Sequence, residues 1–500
     1  MKTIVLEHPR IASEKRFNDI ANTPLWSCLM GGYAVSALES QGIETAFLDH
    51  AVPGAGFDRT MDAVFDLGPD LLCVNTVYFW EHTRVLFDFF DGLRARGWDG
   101  HLNLFGFFPS LIYRNILETC AAVDSIAVGE FEHTLPETAM ALTSGRTLEQ
   151  IPGLALRSCL LDQKSRMRPP EKDPDVFAFP KRSSLEGTVS VLASRGCYNH
   201  CSFCPVPPFY NQGRLWRGRS PENIAREIRM LTEQGATRFY FCDPNFIGPG
   251  RKGRERTMAL MDLIRPLDIR FGMETRPQDL DDAVLEKLTG AGFESLLMGI
   301  ESGSANVLKR IDKQADATLA SDAIALCRRH GIEPEVGFLM FVPDSGLADL
   351  AQNMAFLSQN NLLDRLDRTA NLLSHTQIVL AGTSGYQRFD AENRLKKSGM
   401  FGFEADVIFS DPAVEWVAIL LTHACHMVLR CMSDSASPIY WEKDALGISK
   451  VVNDHLVALA RDLIRRAETE ATPGDPEQLL RERAAIRDGM AQLLPGLSAG

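Results

Sequence analysis

Apolar and polar positions alternate in two long series along the chain. In the first 145 residues, short apolar runs at 3–6, 44–48, 70–75, 101–105 and 125–128 read as strands. Between them, apolar residues spaced three and four apart predict helices at 29–41, 60–67, 82–96, 110–120 and 134–144. Strand and helix in alternation give a parallel sheet with helices on both faces, a doubly wound α/β unit. Such sheets bind ligands beyond the carboxyl ends of their strands. Those ends carry Asp49-His50, Asn75-Thr76, Gly106 and Gly129-Glu130. Residues 146–187 lose the pattern and are rich in proline and charge, as in Arg168-Pro169-Pro170-Glu171-Lys172-Asp173-Pro174, which predicts a linker.

The second series occupies 188–390, with strands at 190–193, 238–242, 269–274, 294–299 and 335–341 and a sixth at 376–380. The intervening helix at 221–234 opens with Pro221, as first turns prefer. Six βα units are too few for a closed eight-unit barrel, so a partial (β/α)6 barrel is expected, with its chemistry at the strand carboxyl ends. From 391 to 500 the pattern is mostly helical, ending in a charged amphipathic stretch. This C-terminal region is expected to cover the barrel mouth and shape a substrate pocket.

Composition narrows the function classes. Five hundred residues exceed one compact core, and 45% apolar with 23% charged residues is globular composition. A net charge of −13 argues against broad phosphate-backbone binding, so no nucleic-acid partner is expected. No long apolar run predicts a membrane span. The opening Met1-Lys2-Thr3-Ile4-Val5-Leu6-Glu7-His8 reads as a first strand, not a signal peptide. The 11 cysteines, an odd number scattered along the chain, suit a reducing cytoplasm. Cys28, Cys73, Cys120, Cys159, Cys242, Cys327, Cys425 and Cys431 read as small core hydrophobes.

The other three stand in Ser194-Arg195-Gly196-Cys197-Tyr198-Asn199-His200-Cys201-Ser202-Phe203-Cys204, directly after the first strand of the second series. Three thiolates at this spacing can ligate three irons of a cubane and leave the fourth open. Zinc is the competing ion, but it takes a fourth Cys or His at comparable spacing, and only His200 lies in the loop.

This motif resembles the signature of the radical S-adenosylmethionine (SAM) family, with Phe203 just before the third cysteine, where that family meets the adenine. The resemblance implies a 4Fe–4S cluster on Cys197, Cys201 and Cys204, with SAM chelated to the open iron. It also implies SAM contacts from Asp243 and Asn245 after the second strand and from Glu274 and Arg276 after the third. Glu301 and Ser302 in Gly299-Ile300-Glu301-Ser302-Gly303 would lie beside the methionine portion. Phe341-Val342-Pro343-Asp344 departs from the family's glycine-bearing turn.

A doubly wound domain ahead of such a barrel resembles the cobalamin-dependent branch of the family. Thr76, Gly106, and Gly129-Glu130 in Gly129-Glu130-Phe131-Glu132-His133-Thr134 match positions where that branch contacts cobalamin. Two features depart from it. Asp49-His50 lacks the spacing of a histidine lower ligand, so His50 reads as a loop residue, and Tyr78, Phe79 and Trp80 become candidates for an apolar lower face. Phe105-Gly106-Phe107 replaces the usual glycine pair. His423 and His426 share a helix face but sit in an apolar stretch that reads as core.

The resemblance covers roughly residues 1–390 and implies a cobalamin-dependent radical SAM C-methyltransferase. One SAM would methylate cobalamin and a second would yield a 5′-deoxyadenosyl radical. The acceptor would be a small metabolite, such as a natural-product or pigment intermediate, and a flavodoxin- or ferredoxin-type protein would donate electrons. A radical SAM oxidative cyclase shares every motif above. A methylthiotransferase fits less well, since its N-terminal cysteine triad is not evident, and a non-catalytic corrinoid or cluster sensor would leave the SAM positions unused.

Overall fold

The computed structural model describes residues 1–11, 13, 29–52, 54–160, 168–210, 216–434, 437, 439–440, 447–469 and 476–494. Cys28, counted above among core cysteines, lies outside the described residues.

The first sheet contains β1 (Thr3–Glu7), β2 (Thr45–Asp49), β3 (Leu71–Asn75), β4 (His101–Phe105), β5 (Ser125–Ala127) and β6 (Leu154–Leu156), in spatial order β2-β1-β3-β4-β5-β6. The first five are parallel. Strands β1 and β3 are buried along their whole length, which is why they read as unbroken apolar runs. Chain order reverses between β1 and β3, and that switch point is where doubly wound sheets take ligands. One expectation is corrected. The stretch 146–187 is not all linker, because β6 pairs antiparallel with β5 (Ser125 opposite Leu156) and closes the sheet edge. A three-residue strand is too short for periodicity to reveal.

The second sheet is parallel, in the order β7 (Thr188–Val191), β10 (Arg238–Phe241), β11 (Arg270–Thr275), β12 (Phe293–Glu301) and β13 (Glu335–Phe338). A hairpin of β8 (Ser194–Arg195) and β9 (Arg217–Gly218) rises from the end of β7. The helix Pro221–Glu233 is capped by Ser220, whose hydroxyl accepts from the Asn223 amide at 3.1 Å. The sixth strand of the expected barrel is reduced to one parallel bridge between Phe341 and Thr376. The chain then turns away, and β14 (Val379–Leu380), β15 (Leu395–Ser398) and β16 (Glu404–Val407) form a separate antiparallel sheet.

The C-terminal helices pack on the helices of the second series. Helix Pro412–Ser433 packs on Leu366–Ser374 and Ser449–Thr469, so it thickens the outer layer of the barrel. Val414, Trp416, Leu420, Leu421 and Val428 share one core with Phe241, Phe271 and Met298 of the strands. Among the described residues Pro412–Ser433 is the one helix long and apolar enough to cross a membrane, and two thirds of it is buried by this packing. The turn between β15 and β16 reaches the first domain. Its Phe401 and Phe403 pack against Phe87, Phe108 and Tyr78 of the first domain.

Candidate active site

The cysteine loop leaves the β7–β8 end of the barrel and is held at several points. Gly196, at φ +77°, starts it. The Ser202 amide donates to Ile311 O at 2.8 Å, and the Gly385 amide donates to Ser202 O at 2.8 Å. Tyr198 donates from its hydroxyl to the Asp279 carboxylate at 2.8 Å. The Asn199 side-chain amide donates to Lys313 O at 2.6 Å and toward Cys201 Sγ at 3.2 Å. Cys197, Cys201 and Cys204 are free and partly buried. Burial pushes the Cys201 and Cys204 thiols up, and the neighbouring cysteines add to this. Among the described residues no three His, Cys or carboxylate side chains converge at metal-ligand distance, these cysteines included. Phe203 packs on Val307, Ile311, Leu339 and Val342, between the loop and the end of β13.

The expected SAM-contacting residues fall into two groups. Asp243 and Asn245 are wholly buried in the wall. Asp243 accepts from Ser194 Oγ at 2.5 Å and from the Ala193 amide at 3.1 Å, and burial still raises its carboxyl to about 6. Asn245 donates to Asp279 at 2.8 Å and accepts from the Gly248 amide at 2.9 Å. Both side chains are spent on shaping strand-end loops. Arg276 likewise donates to Lys313 O at 2.5 Å and to Gln314 O, with its guanidinium over the Tyr198 ring. Ser302 donates to Asn353 Oδ1 at 2.7 Å.

Glu274 and Glu301 form the second group, near the carboxyl ends of β11 and β12. Glu274 has its carboxyl raised to about 7 by burial, with the Asp243 charge adding to it. Glu301, in a left-handed conformation at φ +71°, accepts from Lys313 Nζ at 2.8 Å. Burial pushes the Lys313 ammonium down, but the Glu301 carboxylate outweighs this and holds it above the ordinary lysine range. The pair rests over Gly299 and Gly337, opposite each other in β12 and β13. A Cβ on Gly299 would come within 2.9 Å of Lys313 Nζ and 3.0 Å of Glu301 Oε1. Lys313 was missed by sequence reasoning. It lies in an irregular turn after a short helix, and only folding brings it beside Cys201.

Of the residues expected to meet cobalamin, Gly129 and Glu130 touch the barrel, whereas Tyr78 meets the β15–β16 turn. Thr76 is buried, with its hydroxyl donating to Val74 O at 3.2 Å. Gly106 (φ +112°) and Gly129 (φ +77°) keep the ends of β4 and β5 bare. An added Cβ would lie 2.6 Å from Asn75 Oδ1 at the first and 3.1 Å from Phe209 O at the second. Tyr78 is enclosed by Trp80, Phe108 and Phe403, with ring centroids 5.3, 5.1 and 4.7 Å away. The Glu130 carboxylate is taken up by Arg195, Arg217 and the Glu171 amide. His50 hydrogen-bonds Thr60 at 2.7 Å, as a loop residue would. At the switch point itself stands a group the sequence reading passed over. Buried Glu7 accepts from the Gly31 amide at 2.9 Å, Asn75 Nδ2 at 2.8 Å and Arg10 at 2.7 Å. Burial lifts its carboxyl to about 7. The available signal was a charged pair, Glu7-His8, ending an apolar first strand.

Residues 191–357 match the model of the radical SAM superfamily, so the barrel is a radical SAM domain. The fold of the chain is similar to that of two solved structures. The structure of OxsB with aqua-cobalamin and SAM bound superposes with a TM-score of 0.77 at 17% identity, over 98% of this chain and 79% of that one. TsrM from Kitasatospora setae, with cobalamin and cluster bound, gives 0.62 at 17% identity, over 94% and 100%. Among curated relatives, an uncharacterised methyltransferase of Pyrococcus horikoshii is 27% identical over 263 residues, 50% of this chain and 55% of that protein. The anaerobic magnesium-protoporphyrin IX monomethyl ester cyclase of Synechocystis is 28% identical over 239 residues, 45% of this chain and 47% of that protein. The chain thus spans about half the length of these curated relatives.

Proposed function

We propose that the chain is a cobalamin-dependent radical SAM methyltransferase that acts on a carbon of a small metabolite. The observation that carries this reading is the placement of the doubly wound sheet. Its carboxyl edge, with Gly106 and Gly129 bare, abuts the cysteine loop of a radical SAM domain.

The residues present fit the groups this function needs. Cys197, Cys201 and Cys204 offer three thiols from one loop, the donor set of a cluster with one open iron. The Asn199 amide aimed at Cys201 Sγ is the kind of contact that tunes such clusters. Glu301 and Lys313 would orient the charged methionyl end of SAM, and Glu274 its ribose, near the carboxyl ends of β11 and β12. Phe203 would offer an apolar surface to the adenine. Asp243, Asn245, Arg276 and Ser302 would act by holding the strand-end loops. Thr76, Gly106 and Gly129 would admit a corrinoid at the carboxyl ends of the first sheet, with Tyr78 and its aromatic neighbours on the lower side. When bound, the cluster with SAM would supply the radical and the corrinoid the methyl group, with electrons from a flavodoxin- or ferredoxin-type donor. The protein's part is to orient these groups and exclude water.

The test uses anaerobically reconstituted protein with hydroxocobalamin, a strong reductant and SAM deuterated in its methyl group. Mass spectrometry is expected to find the label on cobalamin, with S-adenosylhomocysteine and 5′-deoxyadenosine. Deoxyadenosine with unlabelled, bound cobalamin would sink the methyltransferase reading. It would favour an oxidative cyclase, the alternative to which the Synechocystis relative points.

A further inference from the structure

The cysteine loop is tied to the N-terminal domain at both of its ends. Upstream, Arg195 stands two residues before Cys197, on the β8–β9 hairpin. Its guanidinium lies 2.5 Å from Glu132 and 3.3 Å from Glu130, both in the loop after β5. Arg217, its cross-strand partner, reaches Glu130 at 2.8 Å. The Arg195 guanidinium also lies over the rings of Tyr33 and Phe177, at 5.0 and 4.3 Å. The four charged side chains are each less than a tenth exposed, and their formal charges cancel.

Downstream, Phe209 stands five residues after Cys204 and stacks on Phe107, with centroids 3.8 Å apart and planes at 11°. Phe107 follows Gly106 at the end of β4, where a second glycine was expected. The pocket between the two ties is lined by Leu29, Met30, Tyr33, Phe131 and Pro244.

A buried ion-pair group is a poor source of stability compared with apolar packing, but it fixes one register, since any slip leaves a charge unpaired. A ring stack fixes separation and tilt. Together they constrain the cysteine loop in all directions relative to the carboxyl ends of β4 and β5. We propose that Arg195–Glu132 and Phe107–Phe209 are positioning pairs that set the cluster's distance and orientation to the corrinoid. The methyl-transfer half of the reaction depends on them, and SAM cleavage inside the barrel does not. This rests on the function proposed above.

The test is made on the N-terminal side of each pair, leaving the barrel sequence intact, in full-length protein loaded with cluster and cobalamin. Phe107→Leu and Glu132→Gln are compared singly and together with wild type, with Phe107→Tyr as the conservative control. Pulsed EPR on protein holding cob(II)alamin and the reduced cluster reads the distance between the two spins. Wild type and Phe107→Tyr are expected to give one narrow distribution, which broadens in Phe107→Leu and Glu132→Gln and most in the double variant. Labelled methyl on cobalamin is expected to fall at least about tenfold while deoxyadenosine stays within about twofold. An unchanged distribution with an unchanged product ratio would overturn the positioning role. So would an equal loss of both products, which marks a purely structural effect. Wild-type protein with no coupling between the spins would sink the corrinoid reading itself, and that is seen before any variant is made.

Discussion

Single residues carry the sharpest expectations. Cys201→Ala removes one of three thiols and is expected to abolish deoxyadenosine formation; persistence of that product would remove the cluster assignment. Glu7 gives a pH signature. Its carboxyl is raised from 4.5 to about 7, so between those values the folded protein holds a proton that the unfolded chain has released. Stability therefore falls as pH rises through that window, by roughly 3 kcal/mol at most for this one group. Glu7→Gln is expected to flatten this dependence, with a Tm that changes less than wild type between pH 5 and 8 in thermal melts. Residues of both kinds differ in how far the sequence shows them. The cysteines announce themselves by spacing, whereas Glu7 and Lys313 acquire meaning only from neighbours tens of residues away.

At the scale of elements, the two βα series were readable because their helices bury one face with a helical period and their central strands are short unbroken apolar runs. The exceptions are informative. The strand 154–156 and the hairpin 194–195 with 217–218 are too short to show a period, and 376–380 splits because tertiary pairing divides it between two sheets. Helix Pro412–Ser433 reads as apolar all round, which fits a core helix. Leu421, fully buried within it, belongs to the same core as the barrel strands. Leu421→Ala is expected to cost about 2–5 kcal/mol and to lower the transition of the barrel itself, read by calorimetry. A transition confined to the C-terminal helices would show that they fold apart.

At the scale of the molecule, the N-terminal sheet and the barrel are joined through one mixed seam of apolar and charged contacts. Removing one member of its buried charge group leaves the others uncompensated, at a cost of about 3–5 kcal/mol. Arg195→Met is therefore expected to convert a joint thermal transition into two, with the N-terminal domain melting first; one transition at an unchanged Tm would argue against the seam.

The cysteine triplet, the two βα series and the glycines at the strand ends are local facts. Spacing, periodicity and the bare backbone of Gly106 and Gly129 belong to short stretches of chain, and from them the sequence determined the class of fold and of chemistry. The fate of the charges was decided elsewhere. Glu130 matches a cofactor-facing motif, yet its carboxylate pairs with two barrel arginines. Phe107 interrupts a glycine pair, yet it stacks on the tail of the cysteine loop. Lys313 meets Glu301 and Cys201 only when a turn folds back across the barrel end. A buried charge or ring is defined by what surrounds it, and only the tertiary structure brings those surroundings together.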